Sequence, residues 1–116
     1  PWILDAVITG QDKPFIGALV WPSMSAMQML AQESSDVPPI ERLTAHIAHG
    51  LRQHNAKEAG SSRRIARFSV LLQPPSIDAG EITDKGSVNQ RLAVDRRKAD
   101  ADALYAEPPG ATVVVL

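Results

Sequence analysis

Two nearly continuous apolar runs at the start of the chain constrain its fold more than any other feature. They cover Ile3–Thr9 and residues 15–21, and the link between them contains Gly10 and Pro14. Two β-type runs joined by a short link of this composition are typical of an antiparallel hairpin. Because polar residues do not alternate regularly with apolar ones in either run, we expect the sheet to be covered on both faces.

Two helices are predicted after the hairpin. Ser25 and Gln28 have the spacing of a capping box, and a helical pattern continues from there to about Glu33. A longer amphipathic helix is predicted over residues 40–58, where apolar residues recur with a period of about 3.6 residues. The residues of this stripe are Ile40, Leu43, Ile47 and Leu51. Both helices are therefore expected to pack on the sheet.

The second half of the chain predicts one more strand and one more helix. Residues 64–72 end in an apolar run before two prolines, as expected of a third strand. Residues 76–86 lack periodicity and are interpreted as a loop, and Ser87 and Gln90 form a second capping-box pair that opens a helix to about Tyr105. The charged residues 95–98 are placed on the outer face of this helix. The predicted fold is an α+β domain with a small three-stranded sheet, made of the hairpin and the later strand, flanked by helices.

Composition excludes several classes of function. The chain has 116 residues and a formal net charge of −1, which supports one domain without a general attraction to nucleic acid or anionic membranes. No apolar run approaches the roughly 18 residues of a membrane-spanning helix. The absence of cysteine excludes disulfides, thiolate metal sites and cysteine nucleophiles, and it is compatible with a cytoplasmic location. Neither nucleic acid nor a membrane is an expected partner.

Three histidines on the second predicted helix raise the question of a metal site. His46 and His49 are spaced so that their rings can approach one another, whereas His54 lies on the apolar stripe. No carboxylate falls at a spacing that completes a ligand set. We therefore predict no metal site, with two surface histidines and a partly buried His54.

Two cationic segments could bind an anion. Arg63, Arg64 and Arg67 cluster at the start of the predicted third strand, where they form either a phosphate site or an ordinary solvated face. Lys85 and Gly86 are placed directly before a predicted helix N-terminus, where free N–H groups and the helix dipole favour an anion. The alternative for this second segment is a plain Lys-Gly turn.

The segment around Lys85 resembles a known family. Residues 74–86, followed by Asn-Gln-Arg at residues 89–91, resemble the C-terminal signature of feruloyl-CoA synthases, which are adenylate-forming acid–CoA ligases. Residues 6–22 resemble the hairpin of the same family, and residues 104–109 fit its tail. The resemblance covers nearly the whole chain, and residues 80–86 are its most specific part.

The resemblance implies that residues 1–116 form the small, mobile C-terminal domain of such a ligase. The strand pattern that begins directly after Pro1 also suggests a piece of a longer chain. The N-terminal domain that binds ATP and the acid, and the hinge, would then lie outside this chain, and the isolated fragment would be inactive. The implied partners are that N-terminal domain, a hydroxycinnamate-like carboxylic acid, ATP and CoA as substrates, and Mg²⁺ bound outside this domain.

The resemblance also implies roles for individual residues. Lys85 would be the lysine that serves acyl-adenylate formation, although the commoner family pattern is Thr-x-x-Gly-Lys and here the lysine precedes Gly86. Lys57, Arg63 and Arg64 would contact the phosphates of CoA after the small domain has rotated.

Two alternatives from other functional classes remain open. The chain could be a free-standing module that binds an anion at Lys85 and Gly86 without catalysis. It could also be an interaction domain that uses the apolar, strand-like residues 111–116 as an edge strand.

Overall fold

A mixed four-stranded sheet lies at the centre of the computed structural model, which describes residues 2–58 and 64–116. The strands follow one another across the sheet in chain order: β1 (Ile3–Thr9), β2 (Ile16–Pro22), β3 (Ile65–Val70) and β4 (Val113–Val115). β1 and β2 pair antiparallel, β2 and β3 parallel, and β3 and β4 antiparallel. The predicted hairpin and third strand are confirmed.

The apolar C-terminal tail supplies the fourth strand. In β4, Val113 pairs with Ser69 and Val115 with Arg67, so the partner that this tail needs is β3 of the same domain. The predicted α+β class is confirmed, but the prediction of three strands was one too few. A three-residue strand has no measurable period, and its pairing depends on a contact between segments far apart in the chain.

Helices cover both faces of the sheet. They are α1 (Met24–Ala31), α2 (Pro39–Lys57), α3 (Gln90–Arg96) and α4 (Lys98–Tyr105). Parallel neighbours need a crossover connection, and α1 and α2 provide it between β2 and β3. The pair α3 and α4 packs on the opposite face. None of the helices in residues 2–58 and 64–116 combines the length and apolar character that crossing a bilayer requires.

Strand β2 forms the core of both layers. Ala18 and Val20 pack with Phe68 and the buried face of α1 and α2. The alternate residues Leu19 and Trp21 pack with α3 and α4 on the other face. Successive side chains of a strand point to opposite faces, so a strand covered on both sides needs an apolar residue at every position. The prediction of a sheet covered on both faces is confirmed.

Both predicted capping boxes were wrong. Helix α1 is capped by Ser23, whose hydroxyl accepts a hydrogen bond from the Ala26 N–H. Helix α3 is capped by Asn89, whose side chain accepts from the Leu92 N–H. Ser, Asn and Asp are all good caps, so spacing alone did not identify which polar residue takes the position.

The predicted helix from Ser87 to Tyr105 was also wrong as a single element. It begins at Gln90 and is interrupted at Arg97, which ends α3 and precedes α4. The Gln90 side chain bonds the free edge of β1, accepting from the Ile8 N–H at 3.0 Å and donating to the Ala6 carbonyl at 3.0 Å. The first residue of α3 is therefore bonded directly to the sheet.

Leu71 and Leu72 provide a test of this packing, because they are adjacent in sequence but differ in exposure. Leu71 is 4% exposed and Leu72 is 69% exposed. Leu71→Ala is expected to lower the free energy of unfolding by about 2–5 kcal/mol, since it leaves a cavity in the layer beneath α3 and α4. The matched control Leu72→Ala is expected to change it by less than about 0.5 kcal/mol. Urea unfolding of both variants measures the difference, and equal losses would contradict the assigned burial.

Candidate functional site

Lys85 lies at the tip of a tight turn. The Gly86 N–H donates to the Thr83 carbonyl at 2.9 Å, and the Thr83 N–H donates to the Ser87 carbonyl at 2.8 Å. Ile82 and Val88 form an isolated antiparallel bridge beneath the turn. Gly86 has a φ of +81°, in the left-handed region that glycine adopts without strain. The turn is therefore a miniature hairpin that presents Lys85 at its end.

The Lys85 side chain extends into solvent. Within residues 2–58 and 64–116 it has no hydrogen-bond or ion-pair partner. The expectation that Lys85 and Gly86 directly precede a helix was wrong, because Ser87 to Asn89 separate them from α3 and Asn89 itself caps that helix. The helix dipole is thus not directed at Lys85. What the turn offers an anionic ligand is a mobile ammonium group with three donors.

A buried carboxylate anchors the segment that carries this turn. Glu81 is fully buried, and its Oε1 accepts hydrogen bonds from the Ser76 N–H at 2.8 Å and from Arg97 Nη2 at 3.1 Å. Its Oε2 accepts from Arg97 Nε at 3.2 Å, and Arg96 Nε lies 3.3 Å from Oε1. The charge of Glu81 is therefore matched by two guanidinium groups.

Arg97 completes the network on the cationic side. Its Nη1 donates to the side chain of Gln73 at 3.2 Å, and its Nη2 donates to the Pro74 carbonyl at 3.0 Å. The guanidinium carbon lies 5.6 Å from the centre of the Trp21 ring. Arg97 was predicted on the outer face of a helix, which was wrong: the side chain is buried because α3 ends there and the side chain turns towards Glu81.

The network holds Glu81 in its charged form. Burial raises the pKa of this carboxyl, but the hydrogen bonds from Arg97 and from the Ser76 N–H, with the charges of Arg97 and Arg96, outweigh burial and hold the pKa below its usual value. The sequence analysis placed Glu81 only within the loop of residues 76–86 and assigned it no partner. Only a pairing between the loop and α3 could have identified it, and no spacing rule encodes that pairing.

The residues predicted to contact CoA are in a different part of the molecule. Lys57 ends α2 and is exposed, and Arg64 is exposed with its Nε donating to the Glu58 carbonyl at 3.0 Å. Arg63 lies outside the described residues. Lys57 is the last residue of α2 and Arg64 directly precedes β3, so both lie on the connection that enters β3, whereas Lys85 lies on the connection that leaves β3 and leads to α3. The structure does not bring Lys85 together with Lys57 or Arg64.

Arg67 of the predicted basic cluster is engaged within the protein. Its Nη1 donates to the Leu104 carbonyl at 2.9 Å, and its Nη2 pairs with Glu107 at 2.7 Å. Its guanidinium also lies over the Phe15 ring. Arg67 therefore joins β3 to the end of α4 and is not available as a phosphate ligand.

The three histidines do not assemble. His46 and His49 are exposed as predicted, but the prediction of a partly buried His54 was wrong, since it is exposed near the end of α2. The His46 ring stacks on Trp2 with 4.0 Å between ring centres. In the described part of the chain, no group of three His, Asp or Glu side chains could hold a metal ion.

Comparison with known proteins places these features in context. A family model described as the AMP-binding enzyme C-terminal domain matches residues 1–108. The chain is 28% identical over 113 residues to a protein of Mycobacterium tuberculosis named long-chain-fatty-acid–CoA ligase FadD15, and to the protein of the same name in Mycobacterium bovis. Each alignment covers 90% of this chain but 19% of the relative, so the chain spans about a fifth of their length. A comparison with solved structures finds no match.

The lowered pKa of Glu81 predicts an acid-dependent stability. A carboxyl whose pKa is lower in the folded than in the unfolded state stabilises the fold fully above its unfolded-state pKa, and the contribution is lost as the pH falls through the folded-state pKa. Glu81→Gln is expected to lower the free energy of unfolding at pH 7 by about 3 kcal/mol, the lower end for a broken buried pair, because Arg97 keeps Gln73 and Pro74.

Urea unfolding across an acid pH series measures this difference. The difference in the free energy of unfolding between wild type and Glu81→Gln should shrink at acid pH, where the Glu81 carboxyl of the wild type is also neutral. Asp78→Asn, which removes an exposed carboxylate from the same segment, is the control and should change stability at pH 7 by less than about 0.5 kcal/mol. A difference between Glu81→Gln and wild type that is constant at every pH would contradict the assigned charge state.

Proposed function

The chain belongs to the family of AMP-binding enzyme C-terminal domains, and we propose that it is the small domain of an ATP-dependent acid–CoA ligase. The observation that carries this proposal is the family match over residues 1–108. The relatives named as CoA ligases support it, since this chain aligns with about a fifth of their length. The domain would act with its own N-terminal domain, which would bind ATP and the acid.

Lys85 is proposed to serve the adenylation step. In that step a carboxylate oxygen attacks the α-phosphorus of ATP, the bond to the leaving pyrophosphate breaks, and an acyl-adenylate forms. Both reactants are negatively charged, so an ammonium between them lowers their repulsion and stabilises the charge of the transition state. The exposed position of Lys85 at the tip of its turn, without a partner among the described residues, supports this role.

Lys57 and Arg64, together with Arg63, are proposed to bind the phosphates of CoA. In the second step the CoA sulfur attacks the acyl carbonyl and AMP leaves. Lys57 and Arg64 lie on the connection that enters β3 and Lys85 lies on the connection that leaves it, so a rotation of the domain would exchange one set of cations for the other. Mg²⁺, which adenylation by this family implies, is proposed to bind outside this domain.

The acid substrate is proposed to be hydroxycinnamate-like, on the resemblance of residues 74–86 to feruloyl-CoA synthases. A long-chain fatty acid is the second candidate, because the aligned relatives carry that substrate in their names. Turnover of ferulate against palmitate by the full-length enzyme separates the two. ATP and CoA are cytoplasmic metabolites, and we propose the cytoplasm as the location of the enzyme.

Replacement of Lys85 tests the adenylation role. In the full-length enzyme, Lys85→Ala is expected to lower ATP–pyrophosphate exchange with the acid by roughly 10²–10³-fold, as for the loss of one charge-stabilising donor. Thioester formation from supplied acyl-adenylate and CoA should persist. The control is Lys98→Ala, which removes an exposed lysine paired with Asp102. Unchanged exchange in Lys85→Ala would overturn the role, and phosphate binding by the isolated chain would then favour a simple anion-binding module.

Replacement of Lys57 and Arg64, the α2-side cations, tests the proposed binding of CoA. Lys57→Ala and Arg64→Ala are each expected to raise the KM for CoA about 5-fold, which corresponds to roughly 1 kcal/mol for an exposed charge contact. ATP–pyrophosphate exchange should stay at the wild-type rate, since it does not involve CoA. The exposed Arg91 of α3 offers a control variant, Arg91→Ala, on the opposite layer. A CoA KM that does not change in either cation variant would contradict the assignment.

A further inference from the structure

The position of Lys85 depends on its backbone, because the side chain itself is not held by any described residue. Hydrogen bonds connect the backbone at the base of this turn to Glu81. The Asn89 N–H donates to the Glu81 carbonyl at 2.8 Å, directly below the Ile82 and Val88 bridge. The Glu81 N–H donates to the Ser76 carbonyl at 2.9 Å. A continuous set of hydrogen bonds therefore runs from the tip of the turn to the buried carboxylate.

Glu81 and Arg97 join this turn to the rest of the domain. The carboxylate bonds the backbone of Ser76 before the turn, and Arg97 lies at the junction of α3 and α4 after it. Arg97 also bonds the Gln73 side chain and the Pro74 carbonyl, which lead from β3 into the segment. The two side chains thus fix both ends of the segment that carries Lys85.

A pair of charges is an unusual choice for holding a loop in place. A buried ion pair costs so much desolvation free energy that well-packed apolar residues of similar volume often stabilise a fold equally well or better. What the pair adds is direction, because a planar guanidinium meets the carboxylate through hydrogen bonds of fixed geometry. Arrangements of the segment that break these bonds are disfavoured, because each would leave a buried charge unpaired.

We propose that Glu81 and Arg97 are positioning residues for Lys85, which hold its turn in the one register that brings the ammonium to the reacting carboxylate and α-phosphate. This inference rests on the proposed adenylation role of Lys85. It assigns no contact with substrate to either residue. The hydrogen bonds of the pair go to Ser76, Gln73 and Pro74, and among the described residues none of them goes to Lys57 or Arg64. The network therefore serves the adenylation step and leaves thioester formation unaffected.

The test uses Glu81→Gln and Arg97→Lys in the full-length enzyme and measures both half-reactions. A displacement of about 1 Å at a reacting group can cost about 100-fold in rate. We expect kcat for ATP–pyrophosphate exchange to fall by roughly 10- to 100-fold, with the KM values for ATP and acid within about 2-fold of wild type. Thioester formation from supplied acyl-adenylate and CoA should keep its wild-type rate.

A double variant shows whether the effect passes through Lys85. Glu81→Gln combined with Lys85→Ala should lose no more exchange activity than Lys85→Ala alone, because groups that act as a unit are not additive. Further loss in the double variant, or equal loss in both half-reactions of Glu81→Gln, would overturn the positioning role. If Lys85→Ala itself leaves exchange unchanged, the adenylation role of Lys85 is wrong. That result differs from a failure of the positioning role alone, in which Lys85→Ala lowers exchange but Glu81→Gln does not act through Lys85.

Two further variants serve as controls for a loss of folding. Ile47→Ala creates a cavity under α2 on the other layer, so it should lower stability without changing the ratio of the two half-reactions. Gln73→Ala removes, from an exposed side chain, one of the hydrogen bonds that orient Arg97, so Arg97 is held less firmly while Glu81 keeps its charge and its guanidinium partner. If Glu81→Gln does not fold, Gln73→Ala should still lower exchange relative to thioester formation, by a few-fold. An unchanged ratio in Gln73→Ala would then overturn the proposal.

Discussion

A carboxylate enclosed by protein can remain charged only if the surrounding groups replace the water it has lost. Glu81 meets this requirement through Arg97, Arg96 and the Ser76 N–H. To supply the guanidinium, Arg97 turns inward at the junction of α3 and α4. This one ion pair therefore joins the end of α3, the segment that leaves β3 and the residues before the turn that carries Lys85.

The sheet beneath the ion pair carries a layer of helices on each of its two faces. Strand β2 is apolar at every position and is covered by α1 and α2 on one face and by α3 and α4 on the other. Lys57 and Arg64 lie on the connection that enters β3, and Lys85 lies on the connection that leaves it. A domain built in this way can present different cations to a partner by rotating, without any change in its own structure. This property agrees with the two half-reactions proposed for it.

How much of this could be predicted depends on the range of the interactions. The hairpin, the third strand and the long helix α2 were predicted correctly, because a local apolar pattern indicates each of them. The caps Ser23 and Asn89 were missed, since several neighbouring residues cap helices equally well. The break at Arg97 was missed because its cause, Glu81, lies in another segment. Lys85 was singled out from the sequence as a cation beside Gly86, and its adenylation role came from the resemblance, whereas the network behind it was not foreseen.

The sequence by itself determined the class of the fold and the residues that can supply positive charge. Alternation and period are properties of neighbouring residues, so they are readable without a structure. Only the tertiary structure decided that β4 pairs with β3 at the edge of the sheet, that Gln90 bonds the edge of β1 and that Arg97 is buried. These outcomes depend on groups far apart in the chain, whose charges and free N–H groups must find partners once water is excluded.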